Sequence, residues 1–180
     1  MIEHGIKSKR SQHLIDFACS FAENAHEGQY RKYTDEPYIV HPVAVAKLVA
    51  SVTDDVEMIS AAFLHDVLED TEVTYVELRD AGFGSSIANL VLELTDITTL
   101  KDGNRATRKA LERERLANVS NNAKTIKLAD LIDNTKSIIK YDKGFSQIFM
   151  DEMSDLVEVL VGGNSTLLIT AHIIIEKYRR

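Results

Sequence analysis

Tryptophan is absent, cysteine occurs once, proline twice, and glycine at only 8 of 180 positions. Most of these shortages remove a class of protein. The single Cys19 cannot close an internal disulfide, which excludes a disulfide-stapled secreted scaffold and suits a reducing cytoplasm. It lies in an apolar helical pattern and is read as a buried structural thiol. So little proline and glycine leaves few of the tight turns that a β-sandwich needs. Positive charge is also short: 21 Lys and Arg against 28 Asp and Glu leave a net charge of −7. That is the wrong sign for a general nucleic-acid binder, although a few local cations suffice for a small anionic ligand. The longest uncharged run, "VLVGGNSTLLITAHIII", is interrupted by Gly162, Gly163 and Asn164 and falls short of a membrane span. The N-terminal "MIEHGIKSKR" has no apolar centre to serve as a signal peptide. A soluble, cytoplasmic protein is expected.

What is present fits a helical domain. Hydrophobic residues make up 44% and charged residues 27%, ordinary for a globular chain. With no repeat or linker to divide it, residues 1–180 are read as one domain with a substantial core. Leu14, Phe17, Ala18, Phe21, Ala22 and Ala25 recur at helical spacing, so a helix is predicted over about 8–27. After the polar "EGQYRKYTDEPYIVHP", Pro42 is read as the first position of a second helix. Asp54 and Asp55 start a third, running toward Glu69. Thr74 caps a short fourth, "AGFGSS" opens a fifth through Leu94, and "DGN" opens a charged helix over about 104–118. "NNAKTIKLADLIDNTKSIIK" carries apolar residues at helical periods, and two helices near 146–161 and 165–178 finish the chain. No segment alternates with period two. The expected fold is all-α.

Within this pattern "AAFLHDVLEDT" is anomalous, because an apolar helix runs directly into His65, Asp66, Glu69 and Asp70. Residues four apart share a helix face, so His65 aligns with Glu69 and Asp66 with Asp70. His65 and Asp66 can serve one metal only from the shoulder between them, with further ligands from other helices. His41, beside Pro42, and Asp130, in "KLADLIDN", can supply them. Two imidazoles and two carboxylates suit a divalent transition metal, manganese or iron foremost and zinc not excluded. A plainer arrangement stays open, with His41 capping a helix and Asp130 paired with Lys127 or Lys124. What favours a site is that buried charges need partners. His26 is read as a structural fastening of its loop, His4, His13 and His172 as surface or packing residues, and Asp133 as pointing away to pair in solvent.

"LHDVLEDT" with "KLADLIDN" resembles the HD-domain metal-dependent phosphohydrolases. "AHEGQYRKYTDEPYIVHPVAVA" narrows the resemblance to the hydrolase domain of RelA/SpoT-type proteins, and the chain is similar to the small alarmone hydrolases. "LVLELTD" and "NRATRKALERERL" match the same layout, so the likeness runs from about residue 11 to 160. It implies a compact HD-domain helical bundle in which His41, His65, Asp66 and Asp130 hold a catalytic metal, usually manganese. It makes Glu69 and Asp70 the catalytic acidic pair that orients or activates water, and Arg31, Lys32 and Asn134 substrate-binding residues. The implied reaction removes pyrophosphate from the 3′ position of guanosine tetra- or pentaphosphate, a nucleotide polyphosphate. Two departures bear on substrate choice. Phe149 and Met153 stand where many relatives carry a tyrosine and a lysine, and Asp35 stands near the place of a usual loop glycine. An adenosine alarmone, NADPH or another nucleotide is therefore an open substrate, and a non-catalytic nucleotide-binding module is the remaining class. No nucleic-acid or membrane partner is expected, and a homo-oligomer through the final helices is left open.

Overall fold

The computed structural model describes residues 9–180; His4 and most of the stretch read against a signal peptide lie outside the described residues. Helix α1 (Lys9–Ala25) buries Ile15, Ala18 and Ala22, which are spaced at three and four residues. It packs on α3 (Val56–Leu64), where Ala61 and Ala62 are also fully buried. Small side chains on both sides bring the two helices close, and Phe17 and Phe21 close the seam's edge against Phe83, with ring centroids 4.8 and 5.3 Å away.

Helix α2 (Val40–Ala50) begins two residues before the expected start. Pro42 is therefore its third residue, still within the first turn, where a missing N–H leaves no helical bond unmade. The predicted third helix is broken. Asp55 caps α3 through its side chain, which accepts from the N–H groups of Glu57 and Met58, but the helix stops at Leu64. His65 and Asp66 form a turn, and α4 (Val67–Asp70) is a separate four-residue helix. Thr74 caps α5 (Tyr75–Leu78) with the reciprocal Glu77 contact, as expected of a Thr-x-x-Glu sequence. A kink at Gly82 and Gly84, both at positive φ, turns the chain into α6 (Gly84–Leu94).

The charged helix is α7 (Arg105–Ala117), capped by Asn104 and burying only Glu112 and Leu116. Helix α8 (Asn121–Tyr141) is the opposite case, buried on nearly every side and touching α2, α6, α9 and α10. A helix packed against this many neighbours lies inside the bundle, and the polar residues it buries there need partners. Helices α9 (Lys143–Val157) and α10 (Ser165–Tyr178) pack on it. Their connection presses on α8: a Cβ at Gly163 would lie 3.0 Å from Leu128 and 3.1 Å from the Lys124 backbone. Among the described residues the only β pairing is two isolated bridges, Tyr30 with Pro37 and Val161 with Gly163. The fold is all-α. Cys19 is half-buried against the core rather than fully enclosed. No helix among the described residues is long and apolar enough to cross a membrane.

Candidate metal centre

Three elements converge on one point. Helix α2 brings His41, the turn after α3 brings His65 and Asp66, and the middle of α8 brings Asp130. His41 Nε2 lies 3.2 Å from Asp130 Oδ1 and 3.5 Å from Asp66 Oδ2. His65 Nε2 lies 3.1 Å from the same Asp66 oxygen and 3.9 Å from Asp130 Oδ1. The break between α3 and α4 makes this convergence feasible. On an unbroken helix adjacent side chains diverge by about 100°, whereas the turn lets both residues face inward.

The other imidazole nitrogens fix what these atoms are. His41 Nδ1 stands 2.8 Å from Asp133 Oδ2 and His65 Nδ1 stands 2.9 Å from the Ala62 carbonyl oxygen. Both acceptors lack a proton to give, so in each ring Nδ1 is the donor. A ring that takes a metal does so in its neutral form, and with Nδ1 as the donor it is Nε2 that faces the cluster. His65 Nε2 is buried with no hydrogen-bond partner, a cost that a cation removes. Donor atoms of His41, His65 and Asp66 lie within 4.8 Å of one another, with Asp130 Oδ1 alongside. Two oriented nitrogens and two carboxylate oxygens in this space fit a divalent metal ion.

Burial lowers the pKa of His41, but its bonds to Asp130 and Asp133 outweigh that and raise it to about 9. Burial raises Asp66, and the neighbouring His65 and His41 more than reverse the effect, leaving it well below the usual carboxylate range. Asp130 is likewise held low against burial by Lys127 and His41. Lys127 Nζ donates to Asp130 Oδ2 at 2.8 Å, and this pairing keeps it cationic despite its burial.

The remaining predicted residues do not sit alike. Glu69 lines a cavity of about 1030 Å³ that reaches the cluster through Tyr38, Lys127 and Asp130. Its Oε2 accepts from the backbone N–H of Asp96 at 2.9 Å, and burial raises its pKa. Asp70 is also raised, chiefly by burial and then by Asp66, but it is not part of the cavity lining. Arg31 donates to Asn134 Oδ1 at 3.2 Å, and Asn134 Nδ2 donates to Asp130 Oδ1 at 2.6 Å. Lys32 reaches the rim, mostly exposed, 3.7 Å from Asp142 Oδ2. Arg31 and Lys32 are presented by a loop tied by Arg31 N to Glu36 O and by Tyr38 N to Gln29 O. Asp35 adopts φ +53° there, a left-handed conformation that glycine takes freely and aspartate tolerates. Phe149 and Met153 line the cavity farther along α9 without hydroxyl or charge.

Asp133 corrects an expectation. It is buried, bonds His41, and takes Lys136 Nζ at 3.0 Å on its other oxygen. Three residues after Asp130 on one helix, it shares that residue's face; this spacing was the available signal. His26 does fasten its loop, with Nδ1 2.9 Å from Gln29 Oε1. Tyr38, whose hydroxyl contacts Asp66 and Asp70, and Lys127, read only as a pairing partner for Asp130, were not foreseen as parts of the site.

With fold and centre described, the class follows: the chain belongs to the HD-domain family, whose profile it matches over residues 18–156. Within that family it stands close to MESH1 of Xenopus tropicalis, a guanosine-3′,5′-bis(diphosphate) 3′-pyrophosphohydrolase. The two are 36% identical over 86% of this chain and 88% of the relative. A Vibrio cholerae protein of the same pyrophosphohydrolase name is 44% identical over 77% of this chain, which spans only 19% of that longer relative. Among solved structures, a metazoan ortholog of SpoT that hydrolyzes ppGpp superposes with a TM-score of 0.82 at 29% identity. The match covers 92% of this chain and 95% of the ortholog.

Proposed function

We propose that the protein hydrolyses the 3′-pyrophosphate of guanosine 3′,5′-polyphosphates, releasing pyrophosphate, with manganese held by His41, His65, Asp66 and Asp130. The observation that carries the proposal is the pair of imidazoles whose Nδ1 bonds aim both Nε2 atoms at the carboxylates of Asp66 and Asp130. The activities of the similar proteins support the same reaction. Residues 1–180 are taken as one HD-type domain, supported by a single buried core shared by α1–α3, α6 and α8–α10, and its expected setting is the cytoplasm.

A divalent ion, when bound, supplies Lewis acidity toward a phosphoryl oxygen and a water of lowered pKa. The chain's own residues do the rest. Glu69 opens onto the cavity, and its raised pKa makes it a better acceptor for a proton from water than an ordinary surface carboxylate. Its bond to the Asp96 N–H holds it in place. Lys127 keeps a positive charge beside the reacting phosphoryl group, where charge accumulates in the transition state. Arg31 offers a planar donor to the nucleotide, braced by Asn134, and Lys32 supplies a mobile point charge at the rim. A handful of cations thus serves a polyanion on a protein of net charge −7.

Phe149 and Met153 favour a second reading of substrate choice. Neither side chain brings a hydroxyl or a cation to the wall, so the adenosine analogue or NADPH competes for the same chemistry. The test offers guanosine and adenosine 3′,5′-bis(diphosphates) and NADPH with manganese, and identifies products. Pyrophosphate release from an alarmone is expected, with Asp66→Ala lowering turnover at least about a hundredfold. Phosphate from NADPH alone would move the protein to another phosphohydrolase branch, and undiminished turnover by Asp66→Ala would remove the metal assignment.

A further inference from the structure

Tyr38 occupies a junction that neither the metal donors nor the acidic pair explains. It arrives from the loop between α1 and α2, and its hydroxyl oxygen lies 2.7 Å from Asp66 Oδ2 and 3.1 Å from Asp70 Oδ2. That Asp66 oxygen is the one facing both imidazoles. Tyr38 lines the cavity and Asp70 does not. The described side-chain bond linking Asp70 to the centre is the one through this phenol.

The loop holds the phenol still. The Tyr38 ring packs on His26, with centroids 4.6 Å apart and planes inclined at 32°, and it meets the edge of His41 at 6.0 Å. Gln29 Nε2 donates to the Asp70 carbonyl at 2.8 Å, so its Oε1 is free to accept from His26 Nδ1 at 2.9 Å. The same loop therefore grips Asp70 twice, at its backbone through Gln29 and at its carboxylate through Tyr38. Such a grip has a purpose, because α4 is only four residues long and buries only Val67. A helix that short does not fix its last side chain by itself.

We propose that Tyr38 is a positioning residue of the reaction, through which Asp70 acts on the Asp66 carboxylate and the geometry of the centre. The proposal rests on the pyrophosphohydrolase reading above. Tyr38→Phe keeps the ring stack and deletes the hydroxyl. At saturating manganese it is expected to lower kcat about tenfold or more, with KM changed less than about twofold. Adding Tyr38→Phe to Asp70→Asn is expected to cost less than about twofold further, since residues acting in one chain of contacts are not additive. An unchanged kcat, a loss carried by KM, a loss cured by more manganese, or the full loss repeated on Asp70→Asn would each overturn it. Wild-type turnover is measured first, and its absence counts against the functional reading alone. A crystal structure of Tyr38→Phe then decides independently of substrate: displacement of the Asp70 carboxylate supports the proposal, and an unmoved carboxylate overturns it.

Discussion

At the scale of the residue, the centre is defined by what stands behind it. His41 donates to Asp133 and His65 to a backbone carbonyl, and these bonds decide which nitrogen faces the cluster. The same bonds set a pH dependence. His41 has its folded-state pKa raised from 6.5 to about 9. Stability from its protonated form is then fully present below pH 6.5 and is lost as pH rises through 9. In the metal-free protein, the urea midpoint is expected to fall over that window, and Asp133→Asn should flatten the fall. A metal takes the neutral imidazole, so manganese affinity should rise over the same window. Urea titrations from pH 6 to 10, with and without manganese, check both signs; a metal-free midpoint that climbs with pH would refute the assignment of His41.

At the scale of the element, packing and charge divide the work unequally. Helix α3 is held by a side-chain cap and a face of fully buried residues, and it ends where His65 must turn inward. Helix α7 instead leans on α9 through the Arg105–Glu152 and Arg113–Asp155 pairs, with the Arg105 guanidinium 4.9 Å from the Phe145 ring centre. Exposed pairs of this kind contribute little, whereas a lost N-cap costs about 1 kcal/mol. Asp55→Ala is accordingly expected to destabilise by about 1 kcal/mol, and Arg113→Ala by less than about 0.5 kcal/mol. Chemical denaturation of the two variants checks the order, and a larger loss from Arg113→Ala would contradict it.

At the scale of the molecule, a bundle around α8 places a buried donor cluster at the floor of an open cavity, and α8 itself carries Lys127, Asp130, Asp133 and Asn134 to it. Much of this was legible. The periodicities of "FACSFAENA" and "KLADLIDN" locate α1 and α8, and the order of His41, His65, Asp66 and Asp130 marks the residues that converge. What escaped was contact across the chain. The break after Leu64 is invisible in a run whose apolar spacing continues through Val67 and Leu68, because tertiary donors, not propensity, hold His65 and Asp66 in a turn. Tyr38 reads in sequence as one aromatic in a polar loop; only the fold brings it against Asp66, 28 residues on. Asp133, expected to pair in solvent, instead bonds His41 from another helix, a partner 92 residues away in the chain.

Everything above turns on one divalent ion among His41, His65, Asp66 and Asp130, serving the proposed reaction. Anomalous diffraction at the manganese edge, from crystals grown with manganese, tests it most directly. A single strong peak is expected, coordinated by both Nε2 atoms and by oxygens of Asp66 and Asp130. A peak elsewhere, or an empty cluster in crystals of protein that turns over substrate, would contradict it.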